Sequence, residues 1–177
     1  MNVIICPGIH APKLTDSFVA SLSIEQPLLV FPANRYPVYS AWHITHWVRS
    51  QKLVSQKLLF ITFSAGVVGG IGAAIALQVM GFEIAAFIAI DGWGVPLFPL
   101  FPIYRLSHDY FTHWSSAILG QGDEGFYADP AKSHLELWSS PENCYGWRVS
   151  DKEKLLSRCS ARDYLKYVIT NQLENST

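Results

Sequence analysis

The run Leu58-Leu59-Phe60-Ile61-Thr62-Phe63 passes without a spacer into Ser64-Ala65-Gly66-Val67-Val68-Gly69-Gly70, and no charged residue interrupts positions 58–80. Apolar, β-branched and aromatic residues over 57–63 predict a buried strand. The small residues behind it predict a tight turn opening directly into a helix over 65–80, which Gly81 stops. A serine at such a turn stands clear of the sheet, beside the first N–H groups of the helix. Those groups have no acceptor inside the helix and carry its positive dipole end, so an oxyanion can rest there. The plainer alternative is a serine chosen for a tight turn and helix start.

The same alternation repeats around this segment. Residues 3–6 form a short apolar run closed by Pro7-Gly8, and Thr15 or Asp16 can cap a helix through Leu22 that turns Phe18, Val19 and Leu22 to one side. Residues 27–32 read as a strand between prolines. Ser40 caps a helix to about Gln51 with Trp42, Trp47 and Val48 inward, and 84–90 gives a fourth strand ending at Asp91-Gly92. The order βαβαβαβ, with nearly all-apolar strands, predicts an α/β three-layer α/β/α sandwich around a mostly parallel sheet, as one domain over 1–177. Beyond 92 the regularity fades. Prolines at 96, 99 and 102 predict an extended apolar loop over 93–104. A helix over 108–119, a strand over 125–128 and a last helix within 151–172 complete a second half expected to be compact or shortened.

Composition narrows the function. The chain has 177 residues, half of them hydrophobic and 15% charged, with a net charge of −1. No basic block offers a footprint for nucleic acid. The uncharged stretch 58–80, with Gly66 and Gly70 four apart, admits a membrane-helix reading, but the strand signal before Ser64 opposes it, and integral membrane insertion is not expected. Cys6, Cys144 and Cys159 form no paired motif, and the first residues lack the basic start of a signal peptide, so reduced thiols and a cytoplasmic location are the expectation. His43 and His46 lie one helical turn apart with no third ligand spaced to join them, so neither a metal nor another cofactor is expected. A homodimer is compatible with the sequence.

The stretch Thr62-Phe63-Ser64-Ala65-Gly66 resembles the G-x-S-x-G nucleophile elbow of the α/β-hydrolase superfamily, small lipase- and esterase-like proteins without a cap domain, with Thr62 where the first glycine stands. The resemblance covers roughly residues 2–92. It implies Ser64 as the nucleophile of a serine hydrolase (esterase- or thioesterase-like) acting on a small-molecule ester or thioester with an apolar acyl group. The segment Cys6-Pro7-Gly8-Ile9-His10 falls where the superfamily supplies one oxyanion N–H. By that resemblance, the N–H groups of Ile9 or His10 and of Ala65 form the oxyanion hole. The departure at Thr62 keeps a second reading in view, a non-catalytic binding or scaffold protein of the same fold.

A triad also needs a base and an acid. His134, after the strand over 125–128, fits the superfamily order of serine, acid, histidine. Asp91 ends the strand after the nucleophile helix, a known variant position for the acid, which the superfamily usually places one strand later; that strand looks missing or degenerate. Asp129 is the alternative acid. His108 and His113 are assigned to a helix, as structural or pocket-lining residues. Trp93, Leu97 and Phe98 in the proline-spaced loop are the candidate lining of an acyl pocket.

Overall fold

Apolar runs at the expected places pair into one sheet, and the chain between them folds back as helices. The computed structural model describes residues 1–120, 122–150 and 154–174. Its elements are β1 (Asn2–Cys6), α1 (Pro12–Leu22), β2 (Leu28–Val30), α2 (Ala41–Ser50), β3 (Lys57–Phe63), α3 (Ala65–Val79), β4 (Glu83–Ile90), β5 (Ile103–Ser107), α4 (Tyr110–Ala117), β6 (Glu124–Ala128), α5 (His134–Ser139), β7 (Tyr145–Ser150), β8 (Leu155–Ser160) and α6 (Ala161–Glu174). The eight strands form one sheet in the order β2-β1-β3-β4-β5-β6-β7-β8. Neighbours run parallel from β2 to β6, and β7 and β8 are antiparallel.

Alternate residues of each strand face opposite sides, and both sides are covered. Val3, Ile5, Leu59, Ile61 and Phe63 join a core with Phe18 and Leu22 of α1, Trp138 of α5 and Tyr164, Leu165 and Val168 of α6. Ile4, Cys6, Leu58 and Phe60 join a second core with Ile44 and Val48 of α2 and Val67, Ala73 and Leu77 of α3. Burial pushes the Cys6 thiol far up, so it stays protonated. No helix among the described residues is long and apolar enough to cross a membrane.

Several boundaries differ from the sequence reading for identifiable reasons. Helix α1 starts at Pro12, whose missing N–H is harmless at a first helical position. Trp42 is exposed and stacks on His46 one turn away; the inward face of α2 is Ile44, Thr45 and Val48. The supposed loop through 104 ends in a strand, β5, paired with β4 and β6. Its central residue is Arg105, which hides the apolar run. Arg105 is buried because its guanidinium donates to the carbonyls of Val95, Leu119 and Gly120, and burial pushes its pKa down to about 10. The C-terminal segment likewise holds a β7–β8 hairpin before α6, so the second half supplies four strands and is not shortened. The last helix, expected within 151–172, runs from Ala161 to Glu174, and 151–153 lie outside the described residues.

Helix α3 is seated by glycines. A Cβ on Gly66 would collide with the carbonyl oxygens of Cys6 and Pro7, one on Gly69 with the carbonyl of Val38, and one on Gly70 would come 2.6 Å from the Thr62 methyl. Thr62 is fully buried, and its hydroxyl donates to the Ile88 carbonyl at 2.9 Å. The closeness that the threonine takes up in the strand is thus returned in the helix. Overpacking at such a site costs about 1–3 kcal/mol. Gly66→Ala is therefore expected to lower the thermal midpoint by roughly 2–4 °C for each kcal/mol lost in a domain of this size. An unchanged midpoint in calorimetry would mean that the β1–α1 loop yields without penalty.

Candidate active site

Strand order reverses between β1 and β3: the chain leaves β1 for β2 on one side and returns to β3 on the other. Ligand crevices in parallel sheets open at such a switch point, beyond the carboxyl ends of the strands. The structure places Ser64, Asp91 and His108 directly after β3, β4 and β5, each at that edge. Main-chain bonds tie the ends together, from Ser64 N–H to the Ile90 carbonyl at 2.9 Å and from Asp91 N–H to the Leu106 carbonyl at 2.8 Å.

Two of these residues have uncommon backbone conformations. Ser64 has φ 53° and ψ −123°, and Asp91 has φ 49°. Positive φ costs a residue with a Cβ and persists only where the surroundings fix it. At Ser64 it makes the sharp turn from β3 into α3, leaving the side chain half-exposed and free of any capping bond. Ala65 is the first residue of α3, so its N–H has no acceptor within the helix.

The Asp91 side chain is 2% exposed and meets two histidines. His134 Nδ1 lies 2.8 Å and His108 Nδ1 2.9 Å from the same oxygen, Oδ2, and the His108 main-chain N–H donates to Oδ1 at 2.9 Å. An ionised carboxylate can only accept, so each ring faces Asp91 with Nδ1 as the N–H donor and turns Nε2 away from it. Burial pushes the Asp91 carboxyl up, but the hydrogen bonds from His108 and His134 outweigh it and hold the group below the ordinary carboxylate value. The Asp91 hydrogen bond, against burial, raises the His108 imidazole above its usual value.

His134 is the first residue of α5, not a loop residue, and the helix start is fixed by a capping box between Ser133 and Glu136. Trp138, four residues on, shares its helix face. Both rings stack on Phe63, His134 at 4.5 Å and Trp138 at 4.8 Å between centroids. Phe63 precedes Ser64, so one side chain ties the serine strand to the histidine helix.

Ser64, Asp91, His108 and His134 line one cavity of about 430 Å³ together with Ala65, Val68, Trp93, Val95, Phe111 and Thr112. Of the three pocket residues named from sequence, Trp93 is here. Leu97 is buried in the core, and Phe98 is exposed beside a separate hollow. Ile9 and His10 line a larger neighbouring cavity of about 540 Å³ at the ends of β1 and β2. Gly8 forms the boundary, since a Cβ on it would stand 3.0 Å from the Ser64 Cβ. The alternative acid, Asp129, is exposed and accepts from the Trp147 indole at 3.1 Å, away from both imidazoles. His43 bonds to Ser40 Oγ at 2.8 Å. The role of His108 is not visible in the sequence, because the strand that delivers it carries Arg105 at its centre.

Asp91, His108 and His134 are also the one group of three metal-ligand side chains found together among the described residues, their ligand atoms within 4.8 Å of one another. The two ring nitrogens converge on one carboxylate oxygen at N–H···O distances, an arrangement already satisfied by protons. No family model matches the chain, and no curated protein is significantly similar to it.

The pKa directions set a pH dependence of stability. His108 is raised in the fold, so its contribution is complete below about pH 6.5, its ordinary value, and is lost as pH rises through the folded value. Asp91 is lowered, so its contribution is present above about pH 4 and is lost as pH falls through its folded value. Asp91→Asn removes both. Its deficit in urea unfolding is expected to be greater at pH 5.5 than at pH 9; equal deficits would mean that His108 stays uncharged in the folded protein.

Proposed function

We propose that the chain is a serine hydrolase of the α/β-hydrolase type, acting on an ester or thioester with an apolar acyl group. The observation that carries the reading is the Asp91 Oδ2 to His134 Nδ1 contact of 2.8 Å beside a serine held at positive φ in the same cavity. Serine and acid directly after parallel strands β3 and β4, and His134 opening the helix after β6, in that chain order, support it further.

In this reading Ser64 Oγ attacks the acyl carbonyl while His134 Nε2 takes its proton. Asp91, ionised and bonded to Nδ1, holds the ring and stabilises the imidazolium. The N–H of Ala65 and that of Ile9 or His10, on the loop packed against Ser64 through Gly8, receive the oxyanion. His134 then gives its proton to the leaving oxygen or sulfur. Water, deprotonated by the same nitrogen, releases the acid from the acyl-serine. Among the described residues no hydrogen bond joins Ser64 Oγ to an imidazole, and contacts of this kind commonly tighten only when substrate is bound. Val68, Trp93, Val95 and Phe111 give the cavity an apolar wall, which suits a hydrocarbon or aromatic acyl chain better than a sugar or phosphate.

A fluorophosphonate probe tests this directly, because it forms a stable bond only with an activated serine. The native protein is expected to be labelled and Ser64→Ala not. Turnover of short aryl esters should fall by roughly four to six orders of magnitude in Ser64→Ala and in His134→Ala, with the far-ultraviolet circular dichroism unchanged. Absence of labelling in folded native protein would reject the hydrolase and leave the binding or scaffold reading.

A further inference from the structure

We propose that His108 is a positioning residue that controls the protonation of His134 through the carboxylate they share; this rests on the reading of Ser64, Asp91 and His134 given above. Residue 108 holds the carboxylate twice, its main-chain N–H on Oδ1 at 2.9 Å and its ring Nδ1 on Oδ2 at 2.9 Å. His134 uses the same Oδ2 at 2.8 Å, and the two rings stand 6.1 Å apart, nearly perpendicular. The other nitrogen of His108, Nε2, lies 3.5 Å from Asp109 Oδ2. One imidazole therefore sits between two carboxylates while its neighbour touches only one of them. The first proton entering the cluster goes to His108, in line with its raised affinity.

A proton on His108 cancels much of the Asp91 charge as felt at His134 and repels a second proton there. The two rings titrate as a coupled pair. His134 consequently stays neutral, the form a general base needs, to a lower pH than it would beside Asp91 alone. The charged and titratable groups facing His108 are Asp91 from the end of β4, Asp109 at the start of α4, and His134 on α5. Lys132, on the loop before α5, meets His108 through its main-chain N–H, which bonds the His108 carbonyl at 2.9 Å.

His108→Asn isolates the effect, because an asparagine amide nitrogen sits where histidine Nδ1 does and donates to Asp91 without taking a proton. The readouts are the pH dependence of the fluorophosphonate labelling rate and the imidazole titration of His134 followed by nitrogen-15 NMR. In His108→Asn the midpoint of the acid limb is expected to move up by half a pH unit or more, about a threefold relative loss on that limb. His134 should then titrate in one step, at a higher pH than the coupled second step of the native protein. An acid limb and a His134 titration that match the native protein would overturn the proposal. So would loss of labelling at every pH in folded His108→Asn with retention in His134→Asn, since His108 would then be the base itself. If native protein is not labelled at all, the hydrolase reading fails, while the NMR titrations still decide whether the rings are coupled.

Discussion

A carboxylate with 2% of its side chain exposed, and no lysine or arginine bonded to it among the described residues, is the constraint on which this molecule depends. Burying an ionised group without partners costs far more than a domain's net stability. Asp91 escapes that cost through three N–H donors, two from the residue after β5 and one from the first residue of α5. Each donor arrives only if its own segment is correctly registered, so the carboxylate couples β4, β5 and the β6–α5 connection. The left-handed backbone at Asp91 is held by the same surroundings, with its N–H bonded to Leu106 on the adjoining strand.

A second tie runs through aromatic rings. Phe63 carries His134 on one contact and Trp138 on another, and Trp138 stacks on Phe18 of α1 at 3.8 Å. Stacked rings contribute beyond their buried area and fix orientation as well as distance. The His134 imidazole is thereby restrained at Nδ1 by a carboxylate and on its face by a core aromatic. A histidine whose side chain is 41% exposed would otherwise sample many rotamers.

The first 92 residues are legible in the sequence because local and global signals agree there. Apolar runs of strand length alternate with helical spacing, and the breakers Pro7-Gly8, Gly81 and Asp91-Gly92 fall between elements. Ser64 and Asp91 stand out for the same reason, as polar residues at the ends of apolar strands. The second half is harder to read since its strands violate the pattern from which buried strands are recognised. β5 holds a buried arginine whose partners, the carbonyls of Val95, Leu119 and Gly120, come from 10 to 15 residues away and leave no local trace. β7 and β8 form a hairpin at the sheet edge, where one side need not be dry, and β8 (Leu155-Leu156-Ser157-Arg158-Cys159-Ser160) is mostly exposed and shows no alternation. His108 reads as helical because a helix does begin beside it, capped by Asp109 and starting at Tyr110.

Thr62 and the glycines of α3 show how a departure from a motif is absorbed. The Ser64 turn needs small residues because helix, strand and the loop of the neighbouring strand converge within a few ångströms of the serine. With a threonine in the strand, the required space has to come from the facing helix. Gly70 supplies it against the Thr62 methyl, and Gly66 lets the Cys6 and Pro7 carbonyls approach the first turn of α3. That approach goes with the seating of Gly8, on the same loop, beside Ser64. In the proposed hydrolase reading the oxyanion donors come from these two segments, the first N–H of the helix and the loop across the switch point. A bulkier residue at 66 would part the two by pushing the β1 loop away. The glycine pattern 66, 69, 70 therefore belongs to the assembly of the Ser64 turn, and it explains a spacing that in isolation resembles helix pairing in a membrane.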